Sequence, residues 1–167
     1  MKYLTILMLL FILFGNRFNA NGQDEKFQAL IMYNFTKLLD WPDKSGDFVI
    51  SVIGNVELVK ELKEYTADRK AGGVQDIIVK KVLISELGNC QMIYVGSSES
   101  SNLNKIIEIM GSNNTLLITE KNGLTDEGAS ISFVKINGAW KFQFNELNIK
   151  TQGLKVSSDF KELGIAK

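Results

Sequence analysis

Asp40, Asp43 and Asp47 stand close enough in sequence to raise paired-carboxylate chemistry, in which one acid donates a proton and another accepts it. No partner acid, base or nucleophile is identifiable beside them, so solvated carboxylates at a helix end and turn are the stronger reading. Gly96-Ser97-Ser98-Glu99-Ser100-Ser101 lies between an apolar strand and a helical pattern, where backbone amides could meet an anion. No Lys follows in phosphate-loop spacing, and Ser is the usual helix N-cap, which is the simpler account. Cys90 heads an apolar run with nothing basic close by, and a small buried hydrophobe outweighs a reactive thiol. Tyr33 and Trp41 invite a ligand-stacking or interface role, since aromatic residues are enriched at binding sites, with core packing as the default. Lys80 and Lys81 are neighbours on an expected strand and point to opposite faces, so they form no single basic patch.

The composition narrows the chemistry further. The 167 residues contain no His and one Cys. That removes the commonest general base and zinc ligand, and it forbids an intrachain disulfide or a multi-thiolate metal site. Both facts weigh against a hydrolase or metalloprotein, and no cofactor is indicated. Lys plus Arg and Asp plus Glu each number 19, so total charge gives nucleic-acid binding no support. A hydrophobic content of 45% suffices for a core in a chain whose length suits one domain.

Residues 1–22 have the form of a cleavable signal peptide. Lys2 supplies the positive start, and Leu4 to Phe14 is an apolar core far shorter than the roughly 20 residues of a membrane span. Ala20-Asn21-Gly22 fits the small-x-small cleavage pattern, leaving Gln23 first, with cleavage after Ala20 as the alternative. The segment holds Lys2 and Arg17 and no acid, so the remainder carries 17 basic against 19 acidic groups. The expectation is an exported protein, periplasmic where the source has two membranes, with residues 23–167 forming one domain.

The elements that must position these residues are readable from spacing. From Asp24, the apolar positions Phe27, Leu30, Ile31, Phe35 and Leu38, with Asn34 among them and Met32 and Leu39 widening the stripe, predict an amphipathic helix. Pro42 disfavours a helical Trp41, so the helix should stop there and reverse through Asp43 to Asp47. Val49 to Ile53 is a β-branched strand ending at Gly54, and Val56 to Ala67 a short helix with one wet face. Asp68 to Gln75, with Gly72-Gly73, reads as a loop; Ile77 to Leu83, Cys90 to Val95 and Thr115 to Thr119 read as strands, with a helix through Leu103, Ile106, Ile107 and Met110. Asn137-Gly138 between alternating segments predicts an antiparallel hairpin whose Trp140, Phe142 and Phe144 share one face. Short helices follow at Asn145 to Gln152 and after Ser157-Ser158.

Strands alternating with helices predict an α/β fold: a single three-layer domain with a mostly parallel central sheet, an antiparallel C-terminal hairpin and helices on both faces. In such a sheet the crevice lies beyond the strand carboxyl ends, here after Gly54-Asn55 and Gly96-Ser97-Ser98. Asn55, Ser97 and Ser98 thus join Tyr33 and Trp41 as candidate binding residues.

Tyr33-Asn34-Phe35-Thr36-Lys37 followed by Trp41-Pro42, Cys90 to Val95, Gly128 to Phe133, Lys141 to Asn145 and, most specific, Gly153-Leu154-Lys155-Val156-Ser157-Ser158 occur in an order that resembles the YfiR-like family of periplasmic proteins, from about Lys26 to Ala166. The resemblance implies a regulator without catalytic activity that represses an inner-membrane signalling protein through its periplasmic sensing region. That partner would be a diguanylate cyclase of cyclic di-GMP signalling or a sensor kinase. It implies a further partner, an outer-membrane lipoprotein that captures the regulator; separately from the resemblance, a second copy in a homodimer is a candidate partner. Cys90 matches the family's shared cysteine, whose disulfide partner this chain lacks, and Asp159-Phe160 replaces a usually apolar pair. A periplasmic small-ligand binding protein is the alternative.

Overall fold

The computed structural model describes residues 21–167; apart from its last two positions, the expected signal peptide lies outside them. Helix α1 (Asn21–Leu38) runs into the two-residue strand β1 (Leu39–Asp40), then β2 (Phe48–Ile53), α2 (Val56–Thr66), β3 (Lys70–Ala71) and β4 (Gln75–Lys81). After a 3-10 turn come β5 (Met92–Val95), a longer 3-10 segment (Ser97–Asn102), α3 (Leu103–Met110) and β6 (Leu116–Thr119). The chain closes with β7 (Ile131–Ile136), β8 (Ala139–Phe144), α4 (Glu146–Thr151), β9 (Lys155–Val156), α5 (Ser158–Leu163) and β10 (Ile165–Ala166).

Eight strands form one sheet in the order β10-β8-β7-β6-β5-β2-β4-β3. From β4 through β7 every pairing is parallel, while β8 runs antiparallel to β7 and β3 antiparallel to β4. Beginning with β2, the chain goes first outward to β4 and then back across to β5, β6 and β7. The direction of winding therefore reverses between β2 and β5.

That reversal gives the sheet two covered faces, as the alternating side chains require. Phe48, Ile50, Val52, Met92, Tyr94, Leu116, Ile118, Ile131 and Phe133 point to the side of α1, α2 and α5, where they meet Met32, Phe35, Leu58, Leu62 and Phe160. Ile53, Ile93, Val95 and Leu117 point to the opposite side, against Leu103, Ile106 and Met110 of α3. Three layers, a mostly parallel sheet and helices on both faces are as the spacing predicts.

The hairpin also forms as its turn residues require. Asn137 at φ 52° and Gly138 at φ 78° make the left-handed pair that matches the twist of β7 and β8. Phe142 and Phe144 are buried and Trp140 half-buried on one strand face. Phe35 lies 5.1 Å from Phe142 and 5.5 Å from Phe160, so α1, β8 and α5 meet in one aromatic cluster. Pairs of this kind add about 0.5–1.5 kcal/mol beyond the area they bury.

Three local expectations change. Helix α1 ends at Leu38, because Leu39 and Asp40 extend to pair with Val156 and Lys155 of β9. Its buried face is centred on Gln28, Ala29, Met32, Tyr33, Phe35 and Thr36, and Leu30 is 38% exposed. The loop around Gly72-Gly73 is a tight hairpin joining β3 to β4, both glycines having positive φ.

Candidate functional site

Helix α1 crosses the sheet from the strand carboxyl ends to the amino ends, and it ties two separate regions together. At the carboxyl end, Tyr94 Oη donates to Gln28 Oε1 at 3.0 Å, and Gln28 Nε2 donates to Glu120 Oε1 at 3.3 Å. The other Glu120 oxygen accepts from the Ser97 amide at 3.1 Å and the Ser97 hydroxyl at 3.2 Å. This is the point of winding reversal, where an open crevice is expected. Here the chain's own carboxylate takes the Ser97 donors. Burial raises the Tyr94 pKa from its ordinary value, and the Glu120 charge adds to that shift, so the phenol stays a neutral donor.

The backbone closes the same crevice. Gly54, at φ 77°, lies so near the Ser97–Asn102 segment that a Cβ would fall 2.8 Å from Glu99 Cγ. A Cβ on Gly96 would fall 3.0 Å from the Gly54 carbonyl oxygen, and Gly96 N donates to Ile53 O at 2.9 Å. Both positions need the missing side chain for β2 and β5 to end side by side. Asn55 caps α2 by accepting from Leu58 N at 2.9 Å, while Ser97 and Ser98 are exposed in the first 3-10 turn.

A sizeable cleft lies at the other end of the sheet. It has a volume of about 370 Å³ and runs between the β1–β9 ribbon and the β3–β4 turn. Trp41 is 4% exposed at its base; its Nε1 donates to Phe35 O at 3.3 Å, and its ring stands edge-on to Phe48 at 4.8 Å. Gln75 is buried, and its Nε2 donates to Ser45 O at 3.2 Å and Gly46 O at 3.3 Å, holding the turn after Pro42 against β4. Within that turn Asp43 accepts from the Ser45 amide and hydroxyl at 2.8 and 2.6 Å, and the hydroxyl bond leads in lowering its carboxyl pKa. Asp43 is thus a turn-former, and Asp40 meets Lys44 in an exposed pair at 3.5 Å.

Lys37, Lys44 and Lys155 line the cleft together with Asp40. Val74, 63% exposed, and half-buried Val156 add apolar surface at its rim. Lys37 Nζ stands 4.3 Å above the ring of Tyr33, which packs edge-on to Tyr65 at 5.7 Å between α1 and α2. Tyr33 therefore backs the cleft instead of lining it.

Cys90 is buried and free, on the α3 side of the sheet. Burial pushes its thiol pKa up, which leaves it a poor nucleophile. A second, polar cavity of about 250 Å³ runs past it between Trp41 and Asn113. Among the described residues no three His, Cys, Asp or Glu side chains are grouped to hold a metal ion.

The five candidate binding residues are thus not brought together. Asn55, Ser97 and Ser98 lie beyond the carboxyl end of β2, Trp41 beside its amino end, and Tyr33 between the two helices. Six residues of β2 separate the ends, about 17 Å at strand rise. What spacing could not reveal is the joining of Thr36–Trp41 to Lys155–Ser157 around one cleft.

Solved structures share the fold. One described as the ABC domain in complex with L-Trp from Streptococcus pneumonia is similar at 12% identity with a TM-score of 0.59, over 83% of this chain and 59% of that one. The chain therefore spans about three-fifths of that structure's length. No curated protein matches the chain. No helix among the described residues is long and apolar enough to cross a membrane. A family model described as YfiR/HmsC-like matches residues 25–164, from early in α1 to the end of α5, and the chain belongs to that family.

Proposed function

We propose that this protein is an exported, non-enzymatic regulator that binds the periplasmic sensing region of an inner-membrane diguanylate cyclase or sensor kinase and holds it inactive. One observation carries the reading beyond family membership. Two stretches that mark the family, Tyr33 to Pro42 and Gly153 to Ser158, lie at opposite ends of the chain yet pair as β1 and β9 beside the cleft of about 370 Å³. Export would follow from a signal removed before Gln23. Switching requires that the regulator bind one state of its partner more tightly than the other.

In-cell cross-linking of the tagged, exported protein followed by mass spectrometry tests this. Capture of an inner-membrane cyclase or kinase is expected, and an outer-membrane lipoprotein or a second copy would extend the assembly. Capture of neither enzyme class across several growth conditions would remove the reading.

A small-ligand binding protein is the second reading, favoured by a cleft whose volume falls in the usual range for such sites. It requires a ligand-dependent rise in melting temperature.

A further inference from the structure

Resting on the regulator reading, we infer that the cleft beside the β1–β9 ribbon seats an extended acidic segment of the partner, its carboxylates facing Lys37, Lys44 and Lys155 and an apolar residue resting against Val74 and Val156.

Charge complementarity selects this occupant. The chain after Gly22 carries more acidic than basic groups, yet the cleft is lined by three lysines and one acid. Lys44 shares Asp40, whereas Lys155 has no carboxylate within salt-bridge distance among the described residues. Lys37 lines the cleft at an exposed position, its Nζ resting over Tyr33 in this structure and without a carboxylate partner among the described residues. A segment with carboxylates on either side of an apolar side chain satisfies all these groups. A cationic or wholly apolar segment would leave the lysines repelled or desolvated.

Backbone geometry selects an extended shape. β1 and β9 form a ladder of their own, so each keeps an edge without a strand partner among the described residues. Such edges hydrogen-bond to an incoming extended chain. The site is also preformed: Trp41 is fixed through Phe35 O, the 43–47 turn is fixed through Gln75, and Ser157 N donates to Leu38 O at 3.1 Å. Little ordering of the cleft is then required on binding.

A photo-cross-linking side chain placed at Val74, on the rim, and separately at Leu83, 61% exposed beyond the far end of β4, tests the assignment in cells exporting the full chain. The expected result is capture of the signalling protein from position 74 and not from 83, with the cross-linked peptide acidic. Lys155→Glu and Lys44→Glu, both at exposed positions, should each lower that capture roughly tenfold while lowering the melting temperature only slightly, by the like-charge contact each makes with Asp40. With purified sensing region, binding should also weaken as salt shortens the screening length from about 30 Å to about 3 Å.

Capture of the same protein from position 83 alone, a cross-link to a basic or apolar segment, a cross-link only to a second copy, or indifference to both charge reversals would overturn the cleft assignment and leave the regulator standing. Failure to capture any signalling protein from either position or by general cross-linking would remove both.

Discussion

Leu39 and Val156 face each other across the β1–β9 ladder, and the next pair in register is Asp40 with Lys155. Leu39 is buried while Val156 is half-buried at the cleft. Each strand is two residues long, too short to persist by itself. Its stability comes from what flanks it: the aromatic cluster of Phe35, Phe142 and Phe160 on one side and the Trp41–Phe48 contact on the other. The proposed docking edge, of whose four residues only Leu39 is buried, is therefore held in place by the core beside it, and core integrity and partner binding are linked there.

Trp41→Ala should lower stability by roughly 3–5 kcal/mol, the range for emptying a large aromatic from a core. Urea denaturation with an unchanged slope gives the value directly. A loss near zero would place the indole at the surface and make Trp41 itself a contact residue.

Tyr94→Phe should cost about 1–3 kcal/mol, because Gln28 Oε1 would lose its phenolic donor in a fully buried position. Adding Gln28→Leu should recover part of that loss, since removing both polar partners is cheaper than stranding one. With the folded pKa of Tyr94 raised above its ordinary value of 10.0, the contribution is complete below that pH and lost as pH rises past it. Tyrosinate absorbance from Tyr94 should accordingly appear only with unfolding.

At the start of α1, Asp24 accepts from Trp140 Nε1 at 2.6 Å and from Lys135 Nζ at 2.8 Å, pinning the β7–β8 hairpin to the helix. Burial acts to raise its pKa, but these bonds together with the Lys135 charge outweigh burial and set it below the ordinary 3.8. A depressed carboxyl contributes its full stability above 3.8 and loses it as pH falls through the lower folded value. Asp24→Asn should be less stable than the parent at neutral pH, and the gap should narrow on acidification. A gap of constant size from neutral to acid pH would show that the Asp24 charge contributes nothing.

Ellman titration should find one thiol per denatured chain, and the native protein should react slowly because Cys90 is buried with its pKa raised. Rapid native labelling would mean that β5 opens at its start. Absence of a thiol after denaturation would mean oxidation or cross-linking between chains.

Local patterns and turn chemistry reveal much of this architecture before any partner is considered. Alternating strands and helices specify the three layers, and Asn137-Gly138 specifies the hairpin. These features depend on neighbours within a few residues, so spacing alone exposes them. The order of family-marking segments likewise identified the family.

Only tertiary structure decided which face of α1 is buried and where the candidate residues meet. Gln28 turns inward and Leu30 outward because Tyr94 and Glu120 offer hydrogen bonds that hydrophobic periodicity does not register. Leu39 leaves the helix because Val156, remote in sequence, supplies a strand partner. The winding order then separates Trp41 from Asn55 and Ser97 by the length of β2, and Glu120 fills the crevice those two were expected to line. Each outcome depends on a contact between segments distant along the chain, where one residue's spacing carries no information about its partner.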